Sequence, residues 1–142
     1  MIIIAPYAQK LRTGDNNPKN YPYWEELISK IDEPIIQVGV EGEKQFVDTF
    51  CKGLTIDELC QLLVKCRTWI GVDSFFQHLA WREGKQGIVL WGPSDPLIFG
   101  HPENINLLKD RKYLAPNQFL WWEQTEYNPD RFVGVDEVLK HL

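Results

Sequence analysis

Asp73, Ser74 and His78 combine residue type and spacing in the way most suggestive of chemistry in this chain. They lie in WIGVDSFFQHLAWREGKQGIVLWG, residues 69–92, where an apolar strand ends at Asp73-Ser74, a helical pattern follows and a second apolar strand closes the stretch. A strand that feeds a helix at a polar turn leaves the helix's first N–H groups unpaired and partly positive, which suits a phosphate. His78 follows Ser74 by four residues, about one turn, so both can face one ligand. The same letters also have a structural use. Ser74 with Gln77 spells a capping box, and Asp73 favours a helix N-terminus. Capping has no use for His78.

Other polar residues fall at the ends of apolar runs. Lys19 precedes Tyr21-Pro22 at the entrance of a helix, where a cation opposes the dipole unless it faces solvent or holds a diphosphate. Glu41 and Glu43 follow the second strand, where a carboxylate can accept from ribose hydroxyls or sit in a solvated turn. Ser94 and Asp95, in Gly92-Pro-Ser-Asp-Pro96, can orient a ligand or build an Asx-type turn. Trp121-Trp122 can stack on a base or sugar, or serve as core and interface. His101 and His141 have no supporting neighbours in sequence. No catalytic triad, Walker loop or metal-ligand spacing is present, and neither metal nor cofactor is called for.

The elements that must position these residues alternate. Met1–Ala5 is an apolar strand, and Lys10–Asn20 a polar loop. Tyr21–Ile31 reads as a helix with Pro22 in its first turn, and Ile35–Val40 as the second strand. Thr55-Ile-Asp-Glu58 is a capping box opening a helix to about Cys66. Trp69–Val72 is the third strand, the Ser74 helix runs to about Arg82 with Gly84 ending it, and Gly87–Trp91 is the fourth. Ile105–Leu108 fits a fifth strand and Asp136–Leu142 a closing helix, while 111–131 follows no clear period. The expected class is α/β, a Rossmann-like parallel sheet with helices on both faces. The polar residues above then share its carboxyl edge, and that shared position says more than any one of them.

The 142 residues fit one domain, 1–142, burying roughly 68–70% of the unfolded surface. Six Trp and seven Phe imply a large core or an apolar face for a partner. A net charge of −5 with no basic stripe argues against nucleic acid. Cys51, Cys60 and Cys66 lack C-x-x-C spacing, which points to reduced thiols and a cytoplasmic location. No apolar run is long enough to span a membrane.

The combined pattern resembles the C-terminal half of glycosyltransferase family 9, the ADP-heptose lipopolysaccharide heptosyltransferases. Lys19-Asn-Tyr-Pro22-Tyr-Trp-Glu-Glu-Leu looks like the family's lysine-x-aromatic-proline helix entrance. Val38-Gly-Val-Glu41-Gly-Glu43 is similar to its glycine-then-glutamate turn. Gly71-Val-Asp73-Ser74-x-x-x-His78-Leu-Ala80 and Val89-Leu-Trp-Gly92-Pro-Ser-Asp-Pro96 match its best-known motif and the strand and turn after it. The resemblance implies a GT-B half-domain that binds a nucleoside-diphosphate sugar, ADP-heptose-like. Lys19 would meet the diphosphate, Glu41 and Glu43 the nucleoside, and Asp73, Ser74 and His78 the diphosphate and sugar, with Ser94 nearby. Phe75 departs from the pattern, since the family usually has glycine there.

In the family the N-terminal half supplies the acceptor site and the carboxylate base, and this chain opens on the first strand of the other half. The expected activity is therefore inverting, metal-independent sugar transfer to an acceptor hydroxyl, completed by self-association or a separate acceptor-domain subunit. Two alternatives stand beside it. One is a non-catalytic nucleotide or nucleotide-sugar binding module. The other is a structural protein that kept the fold and lost the site, which Phe75 would favour.

Overall fold

The computed structural model describes residues 1–142. Six parallel strands form one sheet: β1 (Ile2–Ala5), β2 (Ile35–Gly39), β3 (Thr49–Lys52), β4 (Thr68–Val72), β5 (Ile88–Trp91) and β6 (Ile105–Leu108). Their order across the sheet is β3-β2-β1-β4-β5-β6. This is the Rossmann-like α/β arrangement expected from the alternating pattern. The chain runs outward from β1 to one edge, then returns to β1's other side for β4. The carboxyl ends of β1 and β4 therefore face a crevice where the chain direction across the sheet reverses.

Period-two alternation assigns each central residue to one of two cores. Ile2 and Ile4 join Ile70, Val72, Ile88 and Leu90 on one face, under α1 (Trp24–Ser29). Ile3 and Ala5 join Trp69, Val89 and Trp91 on the other, under α2 (Ile56–Lys65) and α3 (Phe75–Arg82). The register Ile3↔Trp69 and Ile4↔Ile70 fixes this sorting, since a one-residue slip would exchange the faces. Each fully buried aliphatic side chain contributes about 1.5–3 kcal/mol. The short α4 (Pro96–Phe99) follows β5, and α5 (Val135–Leu139) packs on α1, its Val135 and Val138 completing the first core.

Several boundaries differ from the sequence reading. β3 was not expected, because Thr49-Phe-Cys-Lys is an edge strand whose ends face water and it lacks an apolar run. α1 spans Trp24–Ser29 rather than Tyr21–Ile31: Tyr23 is the N-cap, and Pro22 sits before it rather than inside. The Thr55–Glu58 capping box forms in both directions, as expected. A Ser74–Gln77 box does not form, since Ser74 makes no side-chain cap bond and Gln77 turns to Asp73. Gly84 ends α3 with φ +70°, a left-handed turn that glycine adopts freely. The 111–131 stretch resolves into three short 3-10 turns, at Arg111–Tyr113, Trp122–Gln124 and Pro129–Arg131.

Candidate functional site

The loop after β1 is built by buried asparagines. Asn17 donates to the Gln9 carbonyl (3.1 Å) and accepts from the Lys19 amide (3.0 Å), while Asn20 accepts from the Ala8 amide (2.8 Å). These bonds fold the polar stretch back over the carboxyl edge and aim Lys19 inward. Lys19 Nζ lies 3.3 Å from Asp73 Oδ2, with the two side chains 16% and 7% exposed. Asp73 Oδ1 accepts from Gln77 Nε2 at 2.8 Å. The carboxylate at the end of β4 thus holds the lysine in place, and the helix's own glutamine holds the carboxylate.

These residues line a cleft of about 1120 Å³ that spans the carboxyl ends of β1 to β4. Lys19, Glu41, Glu43, Asp73, Ser74 and His78 all lie on its wall. Ser74 is the extended N-cap of α3, yet its hydroxyl makes no capping bond. Phe75 stands beside it, 59% exposed, its side chain on the cleft wall rather than in the core.

His78 Nδ1 lies 2.7 Å from His101 Nε2, and the His101 ring stacks flat on Trp81 at 4.4 Å. Partial desolvation and the neighbouring His101 hold His78's pKa below the ordinary imidazole value, with Asp73 opposing and Lys19 adding to the depression. At neutral pH His78 is therefore an uncharged hydrogen-bonding group. His101 had no supporting neighbours in sequence. It follows α4 in the connection to β6, and only the packing of that connection on α3 brings it to His78.

Glu43 Oε1 accepts from the Val40 amide at 2.8 Å and lies over Gly39, where a Cβ would collide with the carboxylate. Burial pushes its carboxyl up, while the Val40 N–H and Lys10 pull it down. Glu41 is largely in water, paired to Lys52 at 3.4 Å. Of the two acids, Glu43 is the one built into the wall.

Ser94 does not reach this cleft. It is fully buried at the turn after β5, and its Oγ has no hydrogen-bond partner. Asp95 serves the structure: it caps α4 through the Leu97 amide (2.9 Å) and takes Arg111 bidentately at 3.0 and 2.7 Å. The Arg111 guanidinium holds the Asp95 carboxyl below its usual range. His141 pairs with Glu137 at 3.5 Å, remote in sequence from the cleft residues.

The remaining wall comes from residues that local pattern could not join. Arg12 donates from its backbone N and its Nε to Glu123 (3.1 and 3.2 Å), and its guanidinium lies 3.8 Å from the centre of the Trp121 ring. Lys19 Nζ stands 5.1 Å from the centre of the Trp122 ring. The arrangement offers a cation, a helix N-terminus and a neutral imidazole on one wall, with a carboxylate and aromatic surfaces around them. Chemically it suits a phosphate-bearing ligand with a polar ring at either end.

No helix is long and apolar enough to cross a membrane. No curated protein and no solved structure gives a significant match. The sequence model of glycosyltransferase family 9 (heptosyltransferase) matches residues 1–117, a span that includes all four resembling motifs and most of the cleft wall. A match over so much of the chain, on the fold and edge just described, places the protein in glycosyltransferase family 9.

Proposed function

We propose that this chain binds a nucleoside-diphosphate sugar, ADP-heptose-like, across the carboxyl edge of its sheet and supports transfer of the sugar to an acceptor hydroxyl. One observation carries the reading: Lys19, anchored 3.3 Å from Asp73, lies on the same cleft wall as the start of α3 and His78. The diphosphate sits among these three. Glu43, and Glu41 beyond it, accept hydrogen bonds from the nucleoside.

The reaction is an inverting displacement. The acceptor oxygen bonds to the anomeric carbon, the bond from that carbon to the diphosphate oxygen breaks, and its electron pair leaves with the nucleoside diphosphate. The acceptor's proton goes to a general base. Lys19, the α3 amides and the His78 N–H offset charge growing on the leaving group, each worth about 2.7–4 kcal/mol if it behaves as a preorganised oxyanion donor. No metal is needed for that step. The general base and the acceptor site lie outside residues 1–142, across the cleft of a GT-B arrangement.

A second reading, a binding module without turnover, is favoured by the cleft carboxylates being engaged, Asp73 by Lys19 and Gln77 and Glu43 by the Val40 amide; Phe75 on the same wall favours instead a scaffold that lost the site. Calorimetric titration with ADP, UDP, GDP and CDP tests the shared premise. Micromolar binding of one diphosphate is expected, and Lys19→Ala should weaken it at least tenfold, with a smaller loss for His78→Ala. Absence of binding to all four would sink both readings. Sugar transfer or donor hydrolysis by the binding-competent protein separates the enzyme from the module.

A further inference from the structure

The C-terminal wall of the cleft lies beyond the residues matched to the family, and it is made of tryptophan. Trp121 and Trp122 both face the cleft, yet their surroundings differ. Trp121 is 60% exposed and its ring is already covered by the Arg12 guanidinium. Trp122 is half-buried, braced edge-on by Phe99 with ring centres 6.5 Å apart, and it neighbours Lys19 Nζ.

Strand order gives the cleft a direction. Val38, Glu43 and Cys51 line it at β2 and β3, while Phe99, which follows β5, and Trp122 packed against it line the other end. Neighbouring strands stand about 4.8 Å apart, so the three to four spacings from β2 and β3 to β5 put the two ends roughly 14–19 Å from each other. That span suits a nucleoside at one end and a sugar at the other, with the diphosphate at Lys19 between them. A sugar bonded to a phosphate held by Lys19 lies within reach of the ring that the same ammonium neighbours.

From this placement, and resting on the donor-site reading above, we infer that Trp122 is the stacking platform for the donor's sugar and discriminates a nucleoside-diphosphate sugar from the bare diphosphate. The C–H bonds of a pyranose face carry partial positive charge and pack on the negative face of an indole, while the ring's breadth excludes water from the sugar. Trp121, with its ring engaged by Arg12, ties the segment down instead.

The test is a ratio of affinities, taken on the full chain with matched probes: ADP and ADP-glucose, UDP and UDP-glucose, GDP and GDP-mannose. For the pair that binds, Trp122→Ala should weaken the sugar nucleotide roughly three- to tenfold and leave the diphosphate unchanged. Trp122→Phe keeps an aromatic face against Phe99 and should retain most of the preference, which separates stacking from misfolding. Trp121→Ala should lower both affinities equally or neither. The inference is overturned if wild type binds diphosphate and sugar nucleotide alike, if Trp122→Ala weakens both equally, or if Trp122→Phe loses the preference as fully as alanine does. A protein that binds the diphosphate but fails in one of these ways loses only the Trp122 assignment. One that binds no diphosphate loses the donor-site reading with it.

Discussion

His78 is pulled in opposing directions, and its titration has a sign that can be measured. Partial desolvation and His101 depress its pKa below 6.5, so as pH falls the unfolded chain takes up this proton before the folded one does. The contribution to stability is complete above about 6.5 and is lost as pH falls from there through the folded pKa. Removing His101 by alanine substitution should raise the His78 pKa towards its ordinary value. Histidine resonances followed by NMR against pH would show it, and a wild-type His78 titrating at or above 6.5 would contradict the assignment. Lys19 and Asp73 are another pair that sequence could only half reveal. Each was singled out on its own, but 54 residues separate them, and no local pattern says that the carboxylate holds the ammonium. Ser94 shows the opposite failure, since the turn after β5 was legible but not the direction in which its serine points.

Two helices begin with a hydroxyl residue, and they use it differently. Thr55 and Glu58 cap α2 reciprocally at 3.2 Å each, whereas Ser74 at the start of α3 caps nothing. Thr55→Ala should therefore cost about 1 kcal/mol of stability. Ser74→Ala should cost under about 0.5 kcal/mol while weakening any bound diphosphate, so chemical denaturation and ligand titration should rank the two variants in opposite orders. Equal destabilisation by both would mean that the Ser74 hydroxyl is structural. Sequence patterning identified α2, α3 and the buried strands because their periodicity is set by burial within each element. It missed β3, whose place at the edge comes from pairing Val38↔Cys51 rather than from its own composition. It also could not order 111–131, where three short turns follow tertiary contacts and carry no repeating period.

On the scale of the molecule, the surface beside the cleft is unusually apolar. Leu97 and Phe119 are 81% and 80% exposed, with Trp121 and Ile98 at 60% and 46%. Faces of this kind are commonly interaction sites. Sedimentation velocity should show association that grows with concentration, and Phe119→Asp should shift it towards monomer. A single monomeric species at all concentrations would count against a self-association surface. The parallel sheet was readable from the βαβ alternation, whereas its strand order comes from the pairing itself.

The clasp between Arg12 and Glu123 joins residues 111 positions apart. During synthesis the lysine, the β4 carboxylate and the α3 imidazole all leave the ribosome well before the tryptophan wall does. The first core, too, waits for Phe132, Val135 and Val138. A growing chain therefore passes through a long interval with Lys19, Asp73 and His78 made but the cleft open on one side. Closing of the cleft is thus timed by the emergence of Glu123, long after the loop it straps down.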